Sequence, residues 1–270
     1  MSDESKITTL TKAVLFCATF TILFIALSLF KSFFPGSQER IAHAIVGTIA
    51  AILTTFLFLK FDRKTFADIG FVYKKPTLKN FVVGLFTGIC LMGLLSYTVI
   101  LFSGFKVETN AESNLANFIL CTLPLIPLAF MEEVGFRGYP LIILKNSYNT
   151  RNTILITSFL FALYHIANGW TLQNAFLGAG VWGILFGLAA IYSNGIALPT
   201  GLHYGVNATT AAFGISDNSF NIWTLKQSNG LSLESYQSSK LETLLPQVGI
   251  LVIGVVLMER FHRKKTEDIF

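Results

Sequence analysis

Residues 81–103, FVVGLFTGICLMGLLSYTVILFS, run for 23 positions without a charged side chain. About 20 mainly apolar residues are enough for a helix to cross the hydrocarbon core of a bilayer. The whole 270-residue chain shares this character, with 53% hydrophobic, 14% aromatic and only 13% charged residues and a mean hydropathy of +0.61. A soluble domain carries roughly 25% charge, so this composition excludes a water-covered globule as well as a disordered chain. Similar runs occur at 13–30, 41–59, about 116–137, 152–167, 174–193, 196–213 and 243–258. The expected fold is therefore all-α, a bundle of about eight transmembrane helices, with residues 1–270 as a single polytopic membrane domain. The first run follows Lys6 and Lys12 but is long and lacks a clear small-residue cleavage site, so it reads as a retained helix.

The net charge of +5 does not indicate a nucleic-acid partner, because the basic residues are distributed by topology. With a cytoplasmic N-terminus, the inner segments hold Lys6, Lys12, Lys60, Arg63, Lys64, Lys74, Lys75, Lys79, Lys145, Arg151, Arg260, Arg263, Lys264 and Lys265. The outer segments hold only Lys31, Arg40, Lys106, Lys226 and Lys240. Both termini are thus expected in the cytoplasm. The basic and aromatic stretch from Lys60 to Asn80 suits either an anionic inner leaflet or a plain topological anchor, and residues 214–242 form a polar outer loop. Cys17, Cys90 and Cys121 sit in apolar runs and form no metal-type cluster.

Apart from His43, the expected spans contain five ionisable side chains: Glu132, Glu133, Arg137, His165 and His203. A charge at mid-bilayer costs about 2.5–3.5 kcal/mol on the insertion scale unless it is paired or faces a cavity. In MEEVGFRGYP, residues 131–140, Glu133 and Arg137 are four apart and share a helical face, so they can pair. Glu132 points about 100° away and lacks that partner; an unpaired carboxylate in a low dielectric has a raised pKa, as suits a general base. FALYH places Phe161 on the face of His165, and GLHYGVN sets His203 and Asn207 four apart. Three polar faces on three helices are expected to converge on one buried cavity. A carboxylate, two imidazoles and an amide there could activate water and hold an oxyanion, or could ligate zinc with a position left open for water.

These residues resemble the EExxxR, FxxxH and HxxxN motifs of the CAAX-protease and bacteriocin-processing (CPBP, or Abi) family of intramembrane proteases, in the family's order, within a region of approximately 116–213. The resemblance implies a peptidase hydrolysing a peptide bond near the cytoplasmic membrane face, in CAAX-type, leader-peptide or bacteriocin-precursor processing. It implies Glu132 as base with His165 assisting, His203 and Asn207 on the oxyanion, and Glu133, Arg137 and Phe161 as structural neighbours. Zinc held by Glu132, His165, His203 and Asn207 is the alternative within the family. HExxH is absent, so an ordinary zincin site is not expected. Expected partners are a peptide or membrane-associated protein substrate and the lipid bilayer, most naturally a bacterial plasma membrane. A non-catalytic bacteriocin-immunity or scaffold protein and a proton-coupled transporter are the readings from other classes. Counting helical rise puts Glu132 and His203 in the inner half of the membrane and His165 about 20 Å from Arg151.

Overall fold

The structure is a computed structural model that describes residues 3–35, 38–111, 113–215, 220–226 and 245–267. Ten α-helices make up most of it: α1 (Asp3–Ser28), α2 (Glu39–Phe61), α3 (Thr77–Ser103), α4 (Leu115–Thr122), α5 (Leu125–Glu133), α6 (Tyr139–Ser147), α7 (Thr150–Ala167), α8 (Val181–Ser193), α9 (Ala197–Ala212) and α10 (Leu245–Glu267). Helices occupy all eight expected runs. Five helical segments among the described residues are long and apolar enough to cross a membrane: Glu4–Phe33, Glu39–Phe61, Thr77–Phe102, Leu115–Ser147 and Asn174–Ser193. The helices α7 and α9 are shorter, at 18 and 16 residues. They are less apolar because they carry the polar faces, and both are largely buried inside the bundle.

The fourth run is a continuous segment, Leu115–Ser147, divided into shorter helices. Asn114 caps α4 by accepting from the backbone of Ala116 and Asn117, and Pro124 starts α5 after a turn. A π turn at Val134–Gly138 then joins α5 to α6, and a second, at Asn174–Gly180, leads into α8. Such widened turns recur at functional sites, and the first lies directly after the two glutamates. The bundle also carries a short antiparallel ribbon that the sequence reading lacked, β1 (Lys106–Thr109) paired with β2 (Trp223–Lys226). Of the expected polar loop at 214–242, residues 216–219 and 227–242 lie outside the described residues.

Two packing devices hold the site-bearing helices. On α1, Phe16, Phe20 and Phe24 recur every four residues and are buried, while Leu15, Ile22 and Ile25 face outward. Phe16 stacks on Tyr139 at 5.1 Å, and Phe20 on Tyr164 at 5.5 Å, so this stripe supports both motif helices. The second device is a close crossing of α3 and α9. A Cβ at Gly84 or Gly88 would overlap the carbonyl oxygens of Leu198 or Leu202, and one at Gly201 or Gly205 those of Phe81 or Leu85. Both helices therefore present a small-xxx-small face that brings their backbones together, and His203 sits between the two α9 glycines. Gly205→Leu is expected to lower the thermal unfolding midpoint in detergent sharply. Gly93→Leu on the same α3 helix, where an added Cβ meets nothing within 4 Å, should leave it unchanged.

Near the end of the bundle where α1 begins, Lys12 donates to Asp62 at 2.6 Å, and the Tyr139 hydroxyl donates to the other oxygen at 2.7 Å. Burial alone would raise the Asp62 pKa. Both hydrogen bonds and the charges of Lys12 and Lys64 outweigh it and hold the carboxyl below its ordinary 3.8. Because the folded value is the lower one, the clasp's contribution is complete above 3.8 and is lost as pH falls through the folded value. Asp62→Asn is expected to remove that part of the acid sensitivity, read from unfolding midpoints taken from neutral pH into the acid range.

Candidate active site

The two glutamates end α5, and their surroundings differ as their angular separation requires. Glu133 is fully buried, and its Oε1 accepts from Arg137 Nη1 at 3.4 Å and from His203 Nδ1 at 2.9 Å. Arg137 is also buried; it donates to the Gly183 carbonyl at 3.1 Å and lies over the Phe161 ring at 4.4 Å. The expected i,i+4 pair thus forms. It also reaches across 70 residues of sequence to α9, a link the motif spacing did not suggest.

His203 joins the two carboxylates. A carboxylate paired with arginine accepts and does not donate, so His203 Nδ1 donates to Glu133. This fixes the ring with Nε2 3.6 Å from Glu132 Oε2. Phe186 stacks on the same ring at 4.4 Å with an interplanar angle of 17°. Glu132 is therefore not without partners, as its separation from Arg137 had suggested. It faces His203, and the Tyr164 hydroxyl donates to it. Tyr164, next to His165 in FALYH, is the site residue the sequence reading missed; an aromatic within an apolar run gives no sign that its hydroxyl reaches a carboxylate.

His165 donates from Nδ1 to the Phe161 carbonyl at 2.9 Å, leaving Nε2 as the ring's remaining polar atom. Phe161 and Trp170 meet the His165 ring edge-on, each at 4.5 Å. Glu132, His165, His203 and Asn207 all line one cavity of about 320 Å³, together with Met92, Phe186 and Val206. A second cavity of about 530 Å³ is lined by Ile25, Ser28, Lys31, His43 and Asn168, and it shares Glu132, His165, Trp170 and Asn207 with the first. Asn207 makes no hydrogen bond to another described residue, so its carboxamide is available to a ligand. The site lies where the two cavities meet.

The level of the site along the bundle is set by how α4 and α5 run beside α2. Arg40 Nη1 reaches the Cys121 carbonyl at 3.4 Å, Thr48 Oγ1 lies 3.5 Å from the Pro127 oxygen, and a Cβ at Gly47 would overlap the Met131 sulfur. By Met131, then, α5 has advanced only to the level of Gly47, eight residues into the 23-residue α2, or about 12 Å of rise. The eight residues of α4 lie near the start of α2 before α5 begins. Glu132 meets His203, the seventh residue of α9, and lines the same cavity as His165, two residues from the end of α7. The mismatch in depth counted between Glu132 and His165 disappears, since both line one cavity.

Two imidazoles, a carboxylate and an amide are a reasonable donor set for zinc. In this geometry the fit is incomplete. Among the described residues no three His, Cys, Asp or Glu side chains group closely enough to hold an ion, and His203 already contacts both glutamates.

Residues 113–209 match the family model of type II CAAX prenyl endopeptidases, the Rce1-like proteins. This segment belongs to the Rce1-like, or CPBP, family. It runs from just before α4 to the last turns of α9 and contains every residue of the cluster, including Tyr164 and Arg137. Comparison with curated proteins gives no match. The Rce1-like family is one of proteases, and the helices of this chain are those of an integral membrane protein.

Proposed function

We propose that this protein is an intramembrane endopeptidase whose reaction centre is Glu132, at the junction of the two cavities. The observation that carries this reading is the convergence of Glu132, His165, His203 and Asn207 on one cavity wall within the Rce1-like segment. Water held between Glu132 and His165 attacks the scissile carbonyl. Glu132 takes the water proton as the C–O bond forms, and the His165 Nε2 orients the same water. The carbonyl oxygen becomes an oxyanion that accepts from the Asn207 carboxamide and from His203 Nε2–H. That hydrogen is present when the ring carries both protons, with the Glu133 carboxylate on Nδ1 balancing the charge. Collapse breaks the C–N bond, and Glu132 returns its proton to the leaving amine. Tyr164 and Glu133 act through Glu132 and His203 as positioning residues.

The family description supports a prenylated Cys-aliphatic-aliphatic-X tail as the substrate class. Cavity linings such as Met92, Leu95, Val99, Trp182 and Leu225 suit an apolar segment. In this reading the chain's own groups carry the reaction without zinc. Protein stripped of metal, with its zinc content measured, is expected to cleave an S-prenylated fluorogenic peptide at an undiminished rate. A rate that rises and falls with bound zinc would replace this mechanism with the metalloprotease alternative.

A further inference from the structure

The second cavity contains features that the hydrolytic step does not use. Lys31, in the 3-10 turn Leu29–Phe33 that extends α1, lines it, and among the described residues Lys31 is the only lysine or arginine lining either cavity that meets at Glu132. An ammonium can only donate, so the 3.0 Å contact from Lys31 Nζ to His43 Nδ1 makes the imidazole the acceptor. This holds the ammonium in place while leaving its other N–H groups. Glu39 lies at 4.0 Å, the outer limit of an ion pair, with its side chain 67% exposed, and so does little to neutralise Lys31 within the cavity. One turn back on the same face, the Ser28 hydroxyl is buried and has no hydrogen-bond partner, and Ser28 lines the same cavity. A buried hydroxyl without a partner is uncommon and calls for an explanation. The cavity lined by Met92 and Trp182 has no such cation among the described residues.

We propose that Lys31 and Ser28 bind a carboxylate of the peptide, namely the α-carboxylate of its C-terminus, with His43 positioning Lys31. The inference rests on the endopeptidase reading and gives the substrate a direction. The apolar, acyl-side segment occupies the cavity of Met92 and Trp182, the scissile bond lies at Glu132, and the leaving peptide occupies the cavity of Lys31. A carboxylate takes two donors there, an ammonium N–H and a hydroxyl, and a charge-assisted bond of this kind is stronger than a neutral one.

The test compares one S-prenylated peptide in three forms: free acid, C-terminal amide, and amide with aspartate as its last residue. Both kcat/KM with the wild type and equilibrium binding to Glu132→Gln are measured. The free acid is expected to be preferred over the amide by about tenfold or more, mainly through KM. Lys31→Met should remove that preference by lowering the free acid toward the amide, Lys31→Arg should keep it, and Ser28→Ala should reduce it partly. If the aspartate-ended amide matches the free acid, the pocket reads any carboxylate and the assignment to the chain terminus is overturned. If the acid and amide are equal in binding and turnover, or Lys31→Met weakens both alike, the pocket is overturned and Lys31 is an anchor at headgroup level. Binding to Glu132→Gln requires no turnover. A carboxylate preference in binding with no cleavage by the wild type therefore counts against the endopeptidase reading alone.

Discussion

Glu132→Gln is expected to lower kcat for peptide cleavage by roughly two to four orders of magnitude, the usual contribution of a general base, with little change in KM. The substitution is nearly isosteric. The carboxamide oxygen can still accept from Tyr164, and the buried Glu133–Arg137–His203 network is untouched. The capacity to take a proton from water is what disappears. An interaction made only in the transition state changes kcat and kcat/KM together, so a variant that instead raised KM with kcat preserved would make Glu132 a substrate-binding group. Tyr164→Phe provides the graded comparison: it removes one donor to Glu132 while retaining the ring between Phe20 and Phe136, and its loss should be smaller.

Arg137→Met should produce the largest loss of stability. Arg137 and Glu133 are both fully buried and face each other at 3.4 Å. Removing the cation leaves a carboxylate inside the bundle without its counter-charge, which costs about 3–5 kcal/mol where measured. The loss includes the packing of the guanidinium over Phe161 and Phe186 and its bond to the Gly183 carbonyl. The double variant Arg137→Met, Glu133→Leu exchanges the buried pair for apolar side chains of similar size. It is expected to recover most of the thermal unfolding midpoint, as such replacements often do. Turnover should stay low in the double variant, because His203 Nδ1 has lost the acceptor that orients its ring. Activity that recovered together with stability would show that Glu133 serves only the fold.

Much of the architecture was legible because bilayer physics leaves few options. Runs such as 81–103 become helices, and the helices of the structure lie where those runs lie. The candidate site stands out in the sequence for the complementary reason: Glu132, His165 and His203 are costly in an apolar span, and each lines the shared cavity. Their mutual arrangement was not. His203 reaches Glu133 across 70 residues, and no local spacing encodes that contact. The turn at Leu123 and Pro124 that separates α4 from α5 is likewise invisible to a hydropathy run. Gly84 and Gly88 acquire meaning only once α9 is known to cross α3 at those positions. The four-residue strands of the ribbon are too short to leave a periodic signal.

The most direct test is the mass of the products formed when the purified full-length protein is incubated with an S-prenylated Cys-aliphatic-aliphatic-X peptide, alongside Glu132→Gln in the same detergent. A single cut after the prenylated cysteine is expected with the wild type and essentially none with the variant. An intact peptide after incubation with folded wild-type protein, or equal product from both proteins, would contradict a hydrolytic centre at Glu132.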